Sequence, residues 1–179
     1  MSWSQKYRRL KVKNKANEES QDIPPEAIFN AFSDKLTELY DSLKDKVDGT
    51  MIQSKLHKLA ISKNPRDAMF SEKEKVDALV LSDNDNELKI IPDGIHFIGV
   101  LGRVSIRAYK KVYSFNSIIE KRIKTLKEPY FFLIQDEDSP NSLIWGYVRD
   151  EDNSFFGNEV VRLTDAEIEK VLDEVFLDV

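Results

Sequence analysis

The sequence predicts an α+β fold in which a helical N-terminal half packs against a small antiparallel β-sheet and a C-terminal helix. Three features of the sequence favour this fold. Apolar residues recur at spacings of three and four through residues 25–62, as on the buried side of an amphipathic helix. Two aromatic, β-prone runs at residues 130–134 and 143–148 flank a polar loop, as in a β-hairpin. Residues 166–175 return to helical spacing.

The composition sets the class of protein. The chain has 179 residues, of which 41% are hydrophobic and 33% are charged, and this predicts one globular domain with or without a small appendage. It has no cysteine, which excludes disulfides and thiolate metal sites. No window approaches the roughly 18 consecutive apolar residues of a membrane span, and the N-terminus lacks the apolar segment of a secretory signal. We therefore expect a cytoplasmic protein without a membrane partner.

The first helix is predicted over Pro25–Val47. Proline is tolerated in the first turn of a helix, and Asp48 and Gly49 provide a stop. The apolar stripe of this helix consists of Phe29, Phe32, Leu36, Leu39, Leu43 and Val47.

The next two segments are predicted to be helices as well. Thr50 and Gln53 have the spacing of a capping box and introduce a second helix over residues 51–62. The same type of box recurs at the start of residues 72–82, which would form the third helix. Residues 78–81 also fit a buried strand, so the interpretation of the third segment stays open.

A turn is predicted at Pro92, Asp93 and Gly94, between β-prone residues 88–91 and 95–100, because proline fixes φ and glycine accepts a positive φ. Three helices followed by a hairpin is the element order of a winged helix, which places its third helix in a DNA groove. That order is common, and such domains also serve as protein-interaction modules. The basic residues available for phosphate contacts would be Lys55, Lys58, Lys63, Arg66, Lys73 and Lys75.

The elements after residue 100 are predicted from shorter patterns. Alternation at residues 104–108 is typical of a strand, and the spacing of the isoleucines favours a helix over residues 117–127. Thr164 or Asp165 then caps the last helix. The chain thus divides into a basic tail (1–21), a part with a helical hairpin, a third helix and a β-hairpin (22–100), and a part with a basic strand/helix segment, the central hairpin and the acidic helix (101–179).

Charge is segregated along the chain, whose net charge is −5. Residues 1–15 carry six basic residues and no acid, and residues 101–130 carry eight basic and two acidic residues. Residues 16–100 hold ten basic and 17 acidic residues, and residues 131–179 hold three basic and 13 acidic residues. Blocks of alternating sign favour either separate faces for separate partners or pairing within the molecule.

The segregated charge and the lack of a catalytic signature predict a non-enzymatic intracellular binding module or accessory subunit. Basic residues interleaved with aromatic residues can bind phosphates and stack on bases, so we expect nucleic acid or an acidic protein as the partner, and no cofactor or metal. The predicted binding residues are Arg8, Arg9, Lys11, Lys13, Arg103, Arg107, Lys110, Lys111, Lys121, Arg122 and Lys124. In the alternative, the lysines of the middle block face the acidic C-terminal helix.

A second interpretation is a metal-dependent nuclease. Such enzymes place an acid on one strand and Glu-x-Lys on the next, so that the carboxylates hold Mg²⁺ and the lysine activates water. Asp77, Glu87 and Lys89 have this order, and over about a dozen residues the pattern resembles that of the restriction-endonuclease-like superfamily. It departs from that superfamily because Glu87 directly follows a turn. The interpretation requires residues 76–81 to be a strand.

A third interpretation is a purely protein-binding regulator, such as an inhibitor or immunity-type protein, that acts through the acidic C-terminal region. His57 and His96 have no spaced His, Cys or acidic partner of a metal site, and the sequence has no glycine-rich phosphate loop. The choice among DNA, RNA and protein as partner stays open at the level of sequence.

Overall fold

The computed structural model describes residues 24–63, 72–97, 100–114, 119–139, 141–148 and 160–179. Eight strands in these residues form one antiparallel sheet, with one helix before it and one after it along the chain. The elements are helix α1 (Pro25–Val47), strands β1 (Gln53–Ser62), β2 (Lys73–Ser82), β3 (Asn86–Phe97), β4 (Val100–Tyr113), β5 (Ile119–Lys124), β6 (Tyr130–Gln135), β7 (Leu143–Val148) and β8 (Val160–Arg162), and helix α2 (Asp165–Phe176).

Strand β4 is the centre of the sheet. It is 14 residues long, with β3 along one side, while β5 and β6 share the other side. β5 pairs with residues 108–113 of β4, and β6 pairs with residues 102–105. The sheet therefore runs β1-β2-β3-β4-β6-β7-β8, with β5 beside the remaining half of β4.

Both helices contribute to one apolar core on the same face of this sheet. Phe32 of α1 is fully buried, and its ring meets the Trp145 ring of β7 edge-on at a centroid distance of 5.9 Å. The Trp145 indole N–H also donates a hydrogen bond to the Lys35 carbonyl at 2.9 Å. Val175 of α2 belongs to the same core and is fully buried. Because each large apolar side chain contributes roughly 1.5–3 kcal/mol on burial, this two-layer core stabilises the fold.

The tight contact between α1 and the sheet explains a glycine in β4. A Cβ atom at Gly102 would lie 2.4 Å from Cδ2 of the Phe32 ring, well inside van der Waals contact. The absence of a side chain at this position therefore allows the helix to pack directly on the centre of the sheet.

The central strands alternate between two faces. In β4, Val104, Ile106 and Ala108 lie in the core below the helices. Side chains alternate along a strand, so Arg107 and Tyr109 project from the opposite side. We call the side covered by α1 and α2 the helix face. We call the other side the open face, since no described helix packs on it.

The predicted helical N-terminal half is wrong, and with it the winged-helix order. Residues 53–62, which were expected in the second helix, form strand β1. Residues 73–82 form the antiparallel strand β2, so the third segment takes the strand alternative that stayed open at residues 78–81 and not the helix. Thr50 does not start a helix, since its hydroxyl donates to the Val47 carbonyl at 2.6 Å and accepts the Ile52 N–H at 3.1 Å. The Val47 carbonyl, at the C-terminal end of α1, thus accepts both the hydroxyl and the N–H of Thr50.

The twist of the β1–β2 ribbon explains why its sequence has helical spacing. Val76, Leu79 and Leu81 are all buried in the core. In a flat strand, Val76 and Leu79 would project from opposite sides. The ribbon buries both residues because two-stranded ribbons twist strongly along their length. The resulting spacing of three residues imitates that of a helix.

The segment Pro92, Asp93 and Gly94 does not reverse the chain as predicted. It lies inside β3, where Pro92 pairs with Val104 and Gly94 pairs with Arg103. Asp93 is the extra residue of a β-bulge at this register shift. Gly94 has a φ of 138°, which favours glycine. β3 therefore continues through the bulge and remains paired with β4.

The predicted helix over residues 117–127 is also wrong, because residues 119–124 form β5. Ile119 and Ile123 suggested a helical stripe by their spacing of four. In the strand they share one side and are 51% and 81% exposed. The spacing recorded that the two residues share a face, but not that this face is buried.

The remaining predictions for secondary structure are confirmed. They comprise α1, the antiparallel hairpin of β6 and β7, a strand at residues 104–108, and the last helix with Thr164 as its N-cap. The predicted basic tail (1–21) lies outside the described residues. β4 begins at the predicted boundary after residue 100 and pairs with strands from both sides of it, so both parts contribute to one sheet.

Candidate functional site

Three cations form a row across four strands of the open face. Lys55 of β1 is directly opposite Val80 of β2, Val80 is opposite Lys89 of β3, and Lys89 is opposite Arg107 of β4. Neighbouring strands are roughly 4.8 Å apart, so the row extends over roughly 14 Å. Val80 lies between Leu79 and Leu81, which are both in the core, and this places the row on the open face.

The open face brings like charges into direct opposition. Lys89 is the cross-strand partner of Arg107, and Lys111 of β4 is the partner of Lys121 of β5. Like charges directly opposite each other destabilise a sheet. Two such pairs on one face indicate that the face is not optimised for stability alone.

Glu87 compensates part of this charge. It is only 7% exposed, and its carboxylate lies 3.3 Å from the Lys89 ammonium and 2.9 Å from that of Lys121. Burial alone raises the pKa of Glu87, but the hydrogen bond from Lys121 and the charge of Lys89 outweigh it, so that the pKa is lowered. Glu87 is therefore an ionised carboxylate shared by two lysines at neutral pH.

Asp93, the bulge residue, compensates a second cation. Its carboxylate accepts a hydrogen bond from the Arg103 guanidinium at 2.8 Å and from the Ser105 hydroxyl at 2.7 Å. The bulge thus gives β3 an acid at the point where Arg103 and Ser105 project from β4. By contrast, the described residues offer Arg107 no ion pair or hydrogen bond through its side chain.

Two aromatic rings lie under cations on the open face. The Lys89 ammonium lies 5.3 Å from the centre of the Tyr109 ring, and the Arg103 guanidinium carbon lies 5.0 Å from that of Tyr130. Both distances are within the range of cation–π attraction. Both tyrosines are partly exposed, so each ring has a cation beside it and solvent within reach.

The helix face of β4 and β5 carries cations too, and α2 and the residues after it compensate two of them. Lys124 donates to the carbonyls of Glu174 and Val175 and to the Asp178 carboxylate, and Lys110 lies 3.5 Å from the same carboxylate. The hydrogen bond and the charge of Lys124, followed by the charge of Lys110, lower the pKa of Asp178. The negative end of the α2 dipole also attracts these two lysines.

The predicted binding residues are therefore divided between the two faces. Four lie on the open face: Arg103, Arg107, Lys111 and Lys121. Three lie on the helix face: Lys110, Arg122 and Lys124. Four lie outside the described residues: Arg8, Arg9, Lys11 and Lys13. The middle basic block is thus not one surface, because strand alternation sends its members to opposite sides.

Sequence reasoning missed the row that contains Lys55, Lys89 and Arg107. It assigned Lys55 to a helix and considered Lys89 only as a nuclease residue. A signal was present in residues 87–90, which alternate Glu, Leu, Lys and Ile, and in residues 103–109. The alternation identified the strands, but only the register places the two cations opposite each other.

The structure does not bring the three nuclease residues together. Residues 76–81 are a strand, as that interpretation requires. However, Glu87 pairs with Ser82, which is five residues from Asp77, or roughly 17 Å along β2. Asp77 instead makes an ion pair with Lys58 at 2.8 Å and lines a groove beside α1. One metal ion cannot bind Asp77 and Glu87 in this arrangement.

A separate groove of about 560 Å³ lies between α2 and strands β6 and β7. Phe131, Tyr147 and Val171 contribute apolar surface, whereas Glu167 and Glu174 contribute acids. In the described part of the chain, no group of three or more His, Cys, Asp or Glu residues could hold a metal ion. Two lysines also line this groove, so it carries charges of both signs.

Comparisons with protein-family models, with curated proteins and with solved structures gave no match to this chain. Within the described ranges, neither helix is long and apolar enough to cross a membrane. The physical properties of the open face are therefore the basis for assigning a function.

Proposed function

We propose that the protein is a non-enzymatic cytoplasmic binding module, or an accessory subunit, whose open face binds single-stranded nucleic acid. The observation that carries this proposal is the row of Lys55, Lys89 and Arg107 across four strands, next to the Tyr109 ring. Single-strand binding typically combines cations that follow the backbone with aromatic rings on which bases stack. The antiparallel sheet of this protein has helices on one side and presents cations and aromatic rings on the other, as RNA-binding sheets do.

Arg107 would be the first contact for a phosphate. It is exposed and has no described ion-pair partner, whereas Arg103, Lys89 and Lys121 are each beside a carboxylate. Binding of a phosphate next to Arg107 would relieve its repulsion with Lys89. The same contact would therefore contribute both attraction to the ligand and relief of a cost that the free protein bears.

The rings would become available through movement of their cations. In the free protein, Lys89 and Arg103 lie over Tyr109 and Tyr130. A phosphate would attract each cation away from its ring, and a base would then stack on the exposed ring face at roughly 1–3 kcal/mol per base. Contact with phosphates and ring faces does not select a sequence, so we expect weak sequence preference.

The proposal is tested by fluorescence anisotropy with labelled oligothymidylate and oligouridylate of about 20 nucleotides, a length that exceeds typical site sizes. The variant Lys55→Ala/Lys89→Ala/Arg107→Ala removes the row. A matched control, Lys58→Ala/Lys110→Ala/Arg122→Ala, removes the same charge from positions off the open face. We expect affinity to fall with salt, and the slope of log affinity against log salt to decrease by about two in the row variant only, at about 0.7 per phosphate contact.

Equal losses in the two triple variants would contradict a face-specific site and would leave only the attraction of net charge. No binding of either oligonucleotide at about 50 mM salt, where phosphate contacts are strong, would contradict nucleic-acid binding itself. Equal binding of a poly-glutamate peptide, lost in the row variant, would show that the row of Lys55, Lys89 and Arg107 recognises an acidic protein instead.

A further inference from the structure

The outer edge of β5 has backbone groups that pair with no strand in the described part of the chain. β5 pairs with β4 on one side, and no described strand pairs with its other side. All residues from Ile119 to Ile123 are exposed. A strand edge of this kind is a template for another extended chain unless the protein covers or blocks it.

The hydrogen bonds of β4 identify which groups of β5 face outward. The Lys111 N–H donates to the Asp85 carbonyl on the β3 side, whereas the Ile106 N–H donates to the Pro129 carbonyl on the β6 side. Backbone groups alternate in direction along a strand, so even-numbered residues of β4 bond to β5. Their partners in β5 are Glu120, Arg122 and Lys124. The N–H and C=O groups of Ile119, Lys121 and Ile123 therefore face outward.

The side chains of these same residues give the edge an apolar and basic character. Ile119 is the cross-strand partner of Tyr113, and Ile123 is the partner of Tyr109, so all four residues share the open face. Ile119, Ile123 and Tyr113 are 51%, 81% and 59% exposed. Lys121 lies between the two isoleucines. An added strand would lie beside an apolar side chain, a cation and a second apolar side chain, in that order.

Charge selects the kind of chain that fits this edge. β5 carries three cations and one acid, Glu120. If two copies of β5 paired in antiparallel fashion about its centre, Lys121 or Arg122 would face a lysine or arginine of the second copy, which is unfavourable. An acidic segment with apolar residues at both ends meets no such repulsion.

We propose that the outer edge of β5 binds an extended acidic segment of a partner protein as an additional antiparallel strand. The segment would follow the pattern apolar–acid–acid–polar–apolar, with its apolar residues opposite Ile123 and Ile119 and its acids opposite Arg122 and Lys121. Backbone hydrogen bonds would supply affinity, and the side chains would supply specificity. This site is separate from the row of Lys55, Lys89 and Arg107 and does not depend on nucleic-acid binding.

A labelled peptide with the core Val-Asp-Glu-Thr-Val between Gly-Ser linkers tests the proposal by fluorescence anisotropy. Lys121→Pro removes an outward N–H without removing a bond to β4, which is a position where a strand edge tolerates proline. Lys121→Thr removes the same charge but keeps the N–H. We expect Lys121→Pro to weaken binding at least about tenfold, and Lys121→Thr to weaken it less than about threefold, because only the first blocks strand addition.

Equal losses in the two variants, or no loss in either, would overturn strand addition at this edge. Strand addition is also overturned if a peptide with lysines in place of its acids binds with equal affinity, or if oligothymidylate displaces the acidic peptide completely. Amide exchange in the wild-type protein covers the case in which Lys121→Pro unfolds. Peptide binding should slow exchange at Ile119, Lys121 and Ile123 at least about tenfold, and unchanged exchange at these amides would refute the proposal.

Discussion

The two faces of β4 and β5 carry similar numbers of cations but differ in the groups that compensate these charges. On the helix face, Lys110 and Lys124 meet the Asp178 carboxylate, and Lys124 also meets the carbonyls at the C-terminal end of α2. On the open face, Lys89 and Arg107 face each other, and Arg107 has no described counter-charge. A cation with a partner contributes to the fold, whereas a cation without one is available to a ligand.

The alternation of a single strand would therefore separate stability from the proposed binding. Ile106 lies in the core, and its neighbour Arg107 lies on the exposed side of the same strand. Substitutions at adjacent positions should then have unrelated consequences.

Loss of Phe32 should have the largest effect on stability. Its ring is fully buried between α1 and the sheet and contacts Trp145 edge-on. Phe32→Ala should lower the free energy of unfolding by about 3–5 kcal/mol, because it removes apolar burial and leaves a cavity. Urea unfolding measures this change. A loss below about 1 kcal/mol, typical of surface positions, would contradict the description of the helix face as the stabilising layer.

Glu87→Gln should have an intermediate effect that depends on pH. The pKa of Glu87 is lowered in the folded state, so its carboxylate stabilises the fold above its ordinary pKa of 4.5, and this contribution disappears as pH falls through the lowered folded value. At pH 7 the substitution should cost about 1–2 kcal/mol, since it leaves Lys89 and Lys121 without a shared anion. Urea unfolding of both proteins between neutral and acidic pH measures the difference.

That difference should shrink once the pH is low enough to protonate Glu87 in the folded wild-type protein. A difference that stays constant from neutral pH down to that range would show that the carboxylate acts through its shape and not through its charge.

Arg107→Ala should have the smallest effect on stability. We expect a change within about 0.5 kcal/mol, in either direction, because the substitution removes an exposed side chain that opposes Lys89. Ile106→Ala, one position away, should cost about 2–5 kcal/mol. Comparable losses from the two substitutions would mean that the faces of β4 are not distinct. Arg107→Ala should reduce oligonucleotide affinity more than Ile106→Ala does, provided that both proteins are measured below their unfolding midpoints.

The sequence predicted secondary structure where one face of an element is buried along its whole length. α1 buries its stripe from Phe29 to Val47, so its period of 3.6 is complete, and the aromatic runs of β6 and β7 are similarly clear. Prediction failed for β1 and β5 and stayed open between helix and strand for β2, and these strands lie at sheet edges or in a twisted ribbon. In these strands, burial follows neither the helical period of 3.6 residues nor the strand period of 2. Twist moves the buried side along β2, and in β5 Ile119 and Ile123 are not buried at all.

The candidate site was predicted only in part for a related reason. The clustering of basic residues after residue 100 is visible in the sequence, and Arg103, Arg107, Lys111 and Lys121 do lie on the open face. The sequence does not show that carboxylates compensate some of these cations, because Glu87 and Asp93 lie in another strand. The role of Lys55 depends on a register that spans three strand pairings. Such long-range pairing leaves no local pattern in the chain.

The most direct test of this account is nuclear magnetic resonance of the labelled protein with oligothymidylate. We expect intermolecular contacts between base protons and the Tyr109 and Tyr130 rings, together with shifts of the Arg107 guanidinium signals. The signals of side chains on the helix face, such as Trp145 and Val175, should not shift. Contacts between the oligonucleotide and residues of α1 or α2, with none to the two tyrosine rings, would contradict the assignment of binding to the open face.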